Sequence, residues 1–244
     1  MKKKLERRMD NMDLVTCKNL DKSYGQKKIL KDVNLTIESG KIYGLLGTNG
    51  SGKTTLIKLI NGLLVPTKGE VLIKGENPGV ESKKVISYLP ERTYLPNDKR
   101  VKEVIRYFRD FYADFQEERA YRLLEQLKID TNSKLSELSK GNKEKVQLVL
   151  VMSRDADFYV LDEPIGGVDP VARDFILDLI IKNFKEGSSI LLSTHLIADV
   201  ERILDEVILI QDGKIVLAES AEKVREESGT SIEAVFKEVF KNVL

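Results

Sequence analysis

Eight consecutive residues near the beginning of the chain have the types and the spacing that phosphate binding requires. They read Gly47-Thr48-Asn49-Gly50-Ser51-Gly52-Lys53-Thr54 and are followed by Thr55. Two glycines, a lysine and a hydroxyl residue at these intervals form the P-loop pattern, in which backbone N–H groups close around phosphate oxygens. We therefore predict that the chain binds a nucleoside triphosphate. Lys53 would reach the β- and γ-phosphates, and Thr54 would ligate Mg²⁺.

The residues on either side of this loop support the prediction. The apolar run Ile42–Leu46 precedes the loop and is typical of a short buried strand. Residues 55–61 follow it and are typical of a helix that ends before Gly62. A helix that begins directly after the loop places about half a positive charge at the phosphate. A glycine-rich turn that matches by chance is therefore the weaker interpretation.

A second chemical feature is the pair of adjacent carboxylates Asp162 and Glu163, which directly follows the apolar run Phe158–Leu161. In sheets with covering helices, ligands bind at the carboxyl ends of the strands, which is where these two side chains would lie. Asp162 is suited to hold Mg²⁺, directly or through water. Glu163 is suited to accept a proton from an attacking water, and general-base help of this kind raises a rate by ~10²–10⁴.

The single histidine, His195, follows the strand-like run Ile190–Ser193 and one threonine. A lone histidine is most often a structural residue, and the absence of a second one excludes a metal site built from several histidines. At the carboxyl end of a strand beside a P-loop, however, the side chain would lie near the γ-phosphate. We therefore predict that His195 takes part in the chemistry.

A parallel sheet would bring these residues together, and the pattern of apolar residues predicts one. Strand-like runs alternate with helix-like segments on both sides of residues 101–128, which indicates an α/β protein with a mostly parallel sheet covered by helices. Val33, Leu35 and Ile37 alternate with polar residues and indicate a half-buried strand near the start. Asp212-Gly213 indicates a hairpin turn near the end.

Helical periodicity replaces strand periodicity between residues 101 and 128, so this region is predicted to be an inserted helical subdomain. We predict that its buried face comprises Val101, Val104, Ile105, Phe108, Phe111 and Tyr112, continued by Tyr121, Leu123, Leu124 and Leu127. A third helix is predicted to start near residues 139–142. A last amphipathic helix, predicted to dock on its own domain, carries Ile232, Val235, Phe236, Val239 and Phe240.

Size and composition restrict the class of protein. The 244 residues, 41% hydrophobic and 32% charged, are enough for a large core and typical of a soluble globular protein. Forty basic and 39 acidic residues leave a net charge of +1, so no nucleic acid partner is expected. Cys17 is the single cysteine, which excludes an internal disulfide and fits a reducing compartment.

No apolar run approaches the eighteen or so residues that span a bilayer, and no apolar segment follows the basic start Lys2-Lys3-Lys4. We therefore expect an intracellular protein without a signal peptide, whose residues 1–11 form a solvated basic tail. Any membrane role would come through a partner.

The ordered motifs from Leu14 to Leu217 resemble the nucleotide-binding subunit of an ABC (ATP-binding cassette) transporter. Residues 47–54 resemble Walker A, and Asp162 and Glu163 resemble the Walker B aspartate and the catalytic glutamate. Leu138-Ser139-Lys140-Gly141-Asn142 resembles the family's signature pentapeptide. Each short motif is weak evidence alone, but a signature between a P-loop and Walker B is specific to this class.

The resemblance implies roles for further residues. Tyr24, presented by a turn at residues 22–25, would stack on the adenine, and His195 would be the switch histidine. Asp169 would belong to the D-loop at the nucleotide and would also cap the next helix, which starts at Pro170. Ser139 would offer a hydroxyl and Gly141 a backbone N–H to the γ-phosphate. Lys53 and Glu163 would be catalytic groups.

Two departures from the family pattern affect the site. In the signature, Lys140 replaces a glycine and Asn142 replaces a glutamine. The side chain of Lys140 would lie either near the nucleotide or in water, and both positions remain open. Glu91 stands where the family usually has its Q-loop glutamine. A carboxylate there can still ligate Mg²⁺, but it adds a negative charge.

The same resemblance implies a fold and its division. The implied fold is an α/β P-loop NTPase (RecA-like) core with an N-terminal antiparallel β subdomain and an inserted α-helical subdomain at about residues 92–155. The ATPase domain would cover residues 12–227, between the basic tail of residues 1–11 and a C-terminal amphipathic helix within residues 228–244.

The activity that the resemblance implies is ATP hydrolysis with Mg²⁺ that powers transport. Two such subunits, identical or related, would close head-to-tail around two ATP molecules and drive separate integral membrane permease subunits at the inner face of the cell membrane. The variants Glu91 and Ser139-Lys140-Gly141 look like those of two-component bacterial exporters, so export of a peptide, an antibiotic or a lipid-like substrate is expected. An importer ATPase and a non-transport ABC ATPase are the alternatives. The signature argues against a kinase, and no Asn-Lys-x-Asp guanine motif is present.

Overall fold

The computed structural model describes residues 13–241. The predicted basic tail, residues 1–11, lies outside this range, as do the last three residues of the predicted C-terminal segment. The strands in the described range are, in chain order, β1 (Asp13–Tyr24), β2 (Lys27–Glu38), β3 (Ile42–Leu46), β4 (Lys68–Ile73), β5 (Ile86–Leu89), β6 (Phe158–Asp162), β7 (Ser189–Thr194), β8 (Glu206–Gln211) and β9 (Lys214–Ser220).

The helices alternate with these strands. They are α1 (Lys53–Ile60), α2 (Val80–Val85), α3 (Val101–Phe111), α4 (Glu117–Gln126), α5 (Lys140–Met152), α6 (Pro170–Asn183), α7 (Ile197–Val200), α8 (Ala221–Ser228) and α9 (Ile232–Val239). Among residues 13–241, no helix combines the length and the apolar character needed to cross a membrane.

The central sheet has six strands in the order β5-β6-β7-β3-β8-β9, and β8 and β9 are its antiparallel pair. Its inner strands are short apolar runs buried on both faces, which is typical of parallel strands covered by helices. Leu46 on β3 pairs with Thr194 on β7, and Asp162 on β6 pairs with Ser193. The segments that follow β3, β6 and β7 therefore leave the sheet at one edge. The predicted mostly parallel sheet is confirmed.

Alternate residues of these strands enter two separate hydrophobic cores. Leu46, Leu161 and Leu192 lie in the core that also contains the helical insert and α6. Leu45 and Leu191 point the other way and lie in the core that contains α1 and the antiparallel sheet. Since side chains on a strand alternate between faces, one buried strand supports both layers. The segments at the carboxyl edge are therefore held from both sides.

A second, antiparallel sheet of three strands, in the order β2-β1-β4, packs beside α1. Val33, Leu35 and Ile37 on β2 are buried, as their alternation predicts. Cys17 on β1 is buried in the same core, as expected for a small apolar side chain. The predicted N-terminal antiparallel β subdomain is thereby confirmed.

The helical insert lies between β5 and β6 and contains α3, α4 and α5. The predicted buried face is correct for Val104, Ile105 and Phe108, but it is wrong for Phe111 and Tyr121. Phe111 is 66% exposed because α3 ends there, and the next residue packs on the core in its place. Tyr121 is exposed because the face of α4 that is buried is set by Ala120, Leu123 and Leu124.

A buried arginine that the periodicity does not reveal joins the insert to the sheet. Arg154, just after α5, donates hydrogen bonds to the carboxylate of Asp114, to the Ile86 carbonyl and to the Lys84 carbonyl. Its guanidinium carbon also lies 3.9 Å from the centre of the Tyr112 ring. One side chain therefore holds the base of the insert, the end of α2 and the start of β5 together.

The C-terminal helices pack on the hydrophobic core that also contains the helical insert. Ile232 of α9 and Phe240, just after it, are buried, and the Phe236 and Phe240 rings stack with their centroids 4.2 Å apart. The predicted docking of this amphipathic helix on its own domain is confirmed. The sequence analysis predicts no helix at α2, α7 or α8, which have four to eight residues, and α2 and α8 consist mostly of polar residues.

Candidate functional site

The P-loop connects β3 to α1 at the carboxyl edge of the central sheet. Gly52 has a φ of 115°, a backbone conformation that residues with a Cβ rarely adopt. At Gly47, a Cβ would lie 2.5 Å from the Ile210 carbonyl oxygen and 2.6 Å from the Ser51 hydroxyl. Both glycines are therefore required by the shape of the loop, and α1 begins with its N-terminus directed into the site.

Lys53 is folded under this loop and is only 6% exposed. Its ammonium donates to the carbonyl oxygens of Gly47 at 2.8 Å and Thr48 at 3.2 Å. The same nitrogen lies 3.6 Å from Oε1 of Glu163. The structure thus brings together Lys53 and Glu163, two of the predicted catalytic residues, although they are far apart in the chain.

Asp162 ends β6 with a buried carboxylate whose two oxygens differ. Oδ1 accepts a hydrogen bond from the Ser193 hydroxyl at 2.6 Å and one from the Thr54 hydroxyl at 3.4 Å. Oδ2 is buried and has no hydrogen-bond partner within the described part of the chain. A hydroxyl and a spare carboxylate oxygen are hard oxygen ligands of the kind that Mg²⁺ prefers, so these residues fit the ion.

Burial raises the pKa of Asp162 above its ordinary value of 3.8. Hydrogen bonds from Ser193 and Thr54 oppose the rise, whereas the negative charges of Glu91 and Glu163 add to it. A raised folded-state pKa means that ionised Asp162 weakens the fold, and this cost grows as the pH rises above the ordinary carboxyl range. A cation bound here would remove that cost.

We expect Asp162→Asn to raise the thermal unfolding midpoint of the protein without nucleotide at pH 7, by about 2–4 °C for each kcal/mol of relieved burial cost. The contrast is Asp157→Asn. Burial raises the pKa of that carboxyl, but hydrogen bonds from Lys185 and Lys74 outweigh it and leave the pKa lowered. Loss of the Asp157 carboxylate should therefore lower the unfolding midpoint. Differential scanning fluorimetry at pH 7 measures both, and a lower midpoint for Asp162→Asn would contradict the electrostatic account.

Glu163 begins the next segment with an unusual backbone. Its φ is 51°, in the left-handed region, and its N–H donates to both the carbonyl and the hydroxyl of Ser193 at 3.1 Å. Its Oε2 lies 3.1 Å from Nδ1 of His195. Strained residues held by their surroundings are common at reactive sites. The arrangement presents a carboxylate between a lysine and a histidine.

An open cavity of about 620 Å³ connects these groups. The predicted site residues on its wall are Asn49, Gly50, Gly52, Lys53, Thr54, Thr55, Glu91, Glu163 and His195. Gly47, Thr48 and Ser51 belong to the same loop, with Ser51 buried. The structure therefore gathers residues of the P-loop, the carboxylates of Glu91 and Glu163, and the histidine around one space, while Asp162 lines the smaller cavity beside it.

Tyr24 lies at the end of β1, half exposed and outside the wall of this cavity. β1 continues through Tyr24, so the turn comes at residues 25–26, later than predicted. The ammonium of Lys22 lies 5.2 Å from the centre of the Tyr24 ring and donates to the Val65 carbonyl at 2.8 Å. Its ring thus has one face near a cation, a contact that the sequence did not indicate.

The signature opens α5. The Ser139 hydroxyl caps the helix by accepting from the Asn142 N–H at 3.2 Å. Ser139 and Gly141 line a smaller cavity together with Asp162, Glu163 and Asp169. The Lys140 side chain is 89% exposed, 3.8 Å from Glu144, and it also lines the P-loop cavity. The Lys140 side chain therefore lies both at the wall of the P-loop cavity and in water, which were the two positions that the sequence left open.

Asp169 caps α6 as expected, accepting from the Ala172 N–H at 3.0 Å, and Pro170 is the first residue of that helix. Ser193 is the site residue that the sequence analysis missed. It was assigned to a strand only, although a hydroxyl at the polar end of an otherwise apolar run was a usable signal.

A P-loop joining a parallel strand to a helix, with an acidic pair at the end of the next strand but one in the same sheet, defines a P-loop nucleoside triphosphatase. Residues 30–166 match the ABC transporter family. The chain is 36% identical over 207 residues to an uncharacterized ABC transporter ATP-binding protein of Methanocaldococcus jannaschii, which covers 83% of this chain and 76% of that protein.

Two further comparisons agree. The chain is 33% identical over 210 residues to the SkfA peptide export ATP-binding protein SkfE of Bacillus subtilis, over 84% of this chain and 88% of that protein. A solved ATP binding subunit of an ABC transporter superposes with a TM-score of 0.83 at 30% identity, over 92% of this chain and 98% of the other. The chain therefore belongs to the ABC transporter family, as an ATP-binding and ATP-hydrolysing subunit.

Proposed function

We propose that two subunits, at least one of them this chain, bind two Mg²⁺–ATP between them and use hydrolysis to power export by separate membrane subunits. The observation that supports this most directly is the convergence of Lys53, Asp162, Glu163 and His195 at one edge of the sheet. Ser139 and Gly141 lie on the insert, where a second subunit can approach them. An importer and a non-transport ATPase are the competing functions.

In the proposed mechanism, the P-loop N–H groups and Lys53 hold the phosphates and offset their charge. Thr54, the free oxygen of Asp162 and Glu91 would hold Mg²⁺, which would supply positive charge at the phosphates. Glu163 accepts the proton of the attacking water, and the imidazole of His195, 3.1 Å from that carboxylate, holds it and the γ-phosphate in place.

Tyr24 would stack on the adenine, leaving the second face of its ring to Lys22. Ser139, Gly141 and Asp169 would contact the nucleotide of the opposing subunit, so each ATP would need residues of both subunits. Competition between ATP and GTP for binding separates this function from that of a guanine-specific P-loop protein, because a guanine-specific protein prefers GTP.

The surface proposed to receive the membrane subunits is a groove on the helical insert. Its volume is about 540 Å³, and it is lined by Tyr94, Leu95, Pro96, Lys99, Glu103, Val104, Tyr107 and Phe108. Tyr107 is 62% exposed and stacks on Phe111, with ring centroids 5.9 Å apart. An exposed apolar groove of this kind suits a short helix of a partner. It lies just beyond Glu91 in the chain, so nucleotide contacts and partner contacts share one segment.

We expect Tyr107→Glu to abolish co-purification of an integral membrane protein with the tagged chain, because the partner would have to bury an added carboxylate in place of an aromatic ring. Detergent-solubilised membranes, affinity capture and mass spectrometry measure this. Tyr121→Glu is the matched control, since Tyr121 is an exposed tyrosine on α4 that does not line the groove. Capture of no membrane protein by the unaltered chain, with ribosomes or DNA bound instead, would favour the non-transport alternative.

The direction and the site of action rest on the relatives. The Bacillus subtilis relative carries peptide export in its name, which supports export by this chain, with a peptide as the substrate class that the name favours over an antibiotic or a lipid-like one. The chain would then act in the cytoplasm, attached to the inner face of the cell membrane through its permease subunits. The substrate range of the captured permease tests this part of the proposal.

A further inference from the structure

Ser193 occupies a position between the two carboxylates of the site. It is fully buried near the carboxyl end of β7, directly opposite Asp162 in the paired register of β6 and β7. Strand residues with this burial are otherwise apolar or satisfied by the backbone, whereas the Ser193 hydroxyl is bonded to the acidic pair. No role in binding or catalysis follows for this residue from the P-loop or from the signature.

The direction of its hydrogen bonds is determined by its partners. A hydroxyl has one proton to donate and lone pairs that accept. An ionised carboxylate only accepts, so the Ser193 hydroxyl donates to Oδ1 of Asp162 at 2.6 Å. A backbone N–H only donates, so the same oxygen accepts from the N–H of Glu163 at 3.1 Å. One oxygen atom therefore connects a side chain on one residue to the backbone of the next.

These two bonds have separate consequences. The first engages Oδ1 of Asp162 and thereby fixes the rotation of the carboxylate, which leaves Oδ2 buried and without a partner in the described structure. The second, together with the bond from the Glu163 N–H to the Ser193 carbonyl at 3.1 Å, holds Glu163 at its φ of 51°. Without these partners, a non-glycine residue would leave this conformation readily.

We propose that Ser193 is a positioning residue, which aims the free oxygen of Asp162 at Mg²⁺ and fixes the backbone from which Glu163 reaches the attacking water. The inference rests on the proposed function, because it assumes that Asp162 serves the metal. It adds a buried residue of β7 to the site, and it acts through those carboxylates without touching the nucleotide.

Ser189 supplies a matched control on the same strand. It is also fully buried, and its hydroxyl also donates one hydrogen bond and accepts one. Both partners of Ser189 are backbone groups, the Glu38 carbonyl at 2.9 Å and the Lys41 N–H at 3.1 Å. It lies at the opposite end of β7, away from the acidic pair. Ser189→Ala and Ser193→Ala therefore each remove a buried hydroxyl that donates one hydrogen bond and accepts one, and only Ser193→Ala removes a bond to Asp162.

The test measures binding of a non-hydrolysable ATP analogue as Mg²⁺ is titrated, and Mn²⁺ binding by electron paramagnetic resonance. For Ser193→Ala we expect the half-saturating metal concentration to rise about tenfold, because hydrogen bonds to charged groups are the strong ones. Binding of the analogue in EDTA should be unchanged. Ser193→Cys, which keeps the volume with a weak donor, should fall in between and covers the case in which the alanine variant does not fold.

An unchanged metal titration for Ser193→Ala, or an equal shift for Ser189→Ala, would overturn the role of Ser193. Failure of the proposed function has a different signature. In that case the unaltered protein would show no dependence of analogue binding on Mg²⁺, and all variants would behave as it does.

Discussion

Replacing Glu163 with glutamine is expected to lower the steady-state rate of ATP hydrolysis by ~10²–10⁴, the range that general-base help supplies. Glutamine keeps the shape of the side chain but cannot take the proton of the attacking water. ATP should still bind, because the P-loop, Lys53 and Asp162 are unchanged. The protein should then remain as an ATP-bound pair of subunits.

Two measurements check this result together. A coupled assay of phosphate release gives the rate, and size-exclusion chromatography with light scattering detects the pair formed with Mg²⁺–ATP. Glu186→Gln is the control, because Glu186 is an exposed carboxylate in the loop before β7, at the opposite edge of the sheet. An unchanged rate for Glu163→Gln would remove Glu163 from the chemistry, whatever the state of association.

Replacing Lys53 with alanine is expected to weaken Mg²⁺–ATP binding by about 10- to 100-fold, which corresponds to the ~1.5–3 kcal/mol of hydrogen bonds to charged groups. The ammonium is buried beneath the P-loop, so the phosphates would lose a cation in surroundings of low dielectric. The Lys53 ammonium lies 3.6 Å from the Glu163 carboxylate. The ammonium would move away from this carboxylate when it binds a phosphate.

Isothermal titration with a non-hydrolysable ATP analogue measures this affinity. Lys58→Ala is the matched control, since Lys58 lies on the same helix but is exposed to solvent. Lys53→Met, which keeps the aliphatic part of the side chain, should weaken binding as much as alanine does. Normal affinity in both Lys53 variants would count against the P-loop as the phosphate site.

The sequence predicts those parts of the molecule that depend on local residue types. Gly47, Gly52 and Lys53 have a fixed spacing because the loop geometry demands it, and the apolar run before Asp162 identifies a buried strand. The continuous apolar runs of β3, β6 and β7 likewise indicate strands covered by helices on both faces. Such features need only neighbouring residues, so a single sequence contains them.

Contacts between distant segments are less accessible. The hydrogen bonds of Ser193 to Asp162 and Glu163 depend on the register between β7 and β6, which periodicity does not specify. The error at Phe111 has a similar origin. A hydrophobic stripe predicts a buried face while the helix continues, but the end of α3 was decided by the turn toward Tyr112. Both outcomes are properties of the tertiary fold.

Arg154 provides a fixed point about which the helical insert can tilt. Its guanidinium is bonded to Asp114 of the insert and to backbone carbonyls at the start of β5 and the end of α2, so sliding the insert as a whole would break several charged hydrogen bonds at once. Tilting about this point keeps them. Ser139 lies at the far end of α5, about 20 Å away at 1.5 Å per residue, so a tilt of about 10° would carry its hydroxyl through about 3–4 Å. A small change of angle at the buried end is therefore amplified into a displacement of atomic contact size at the signature.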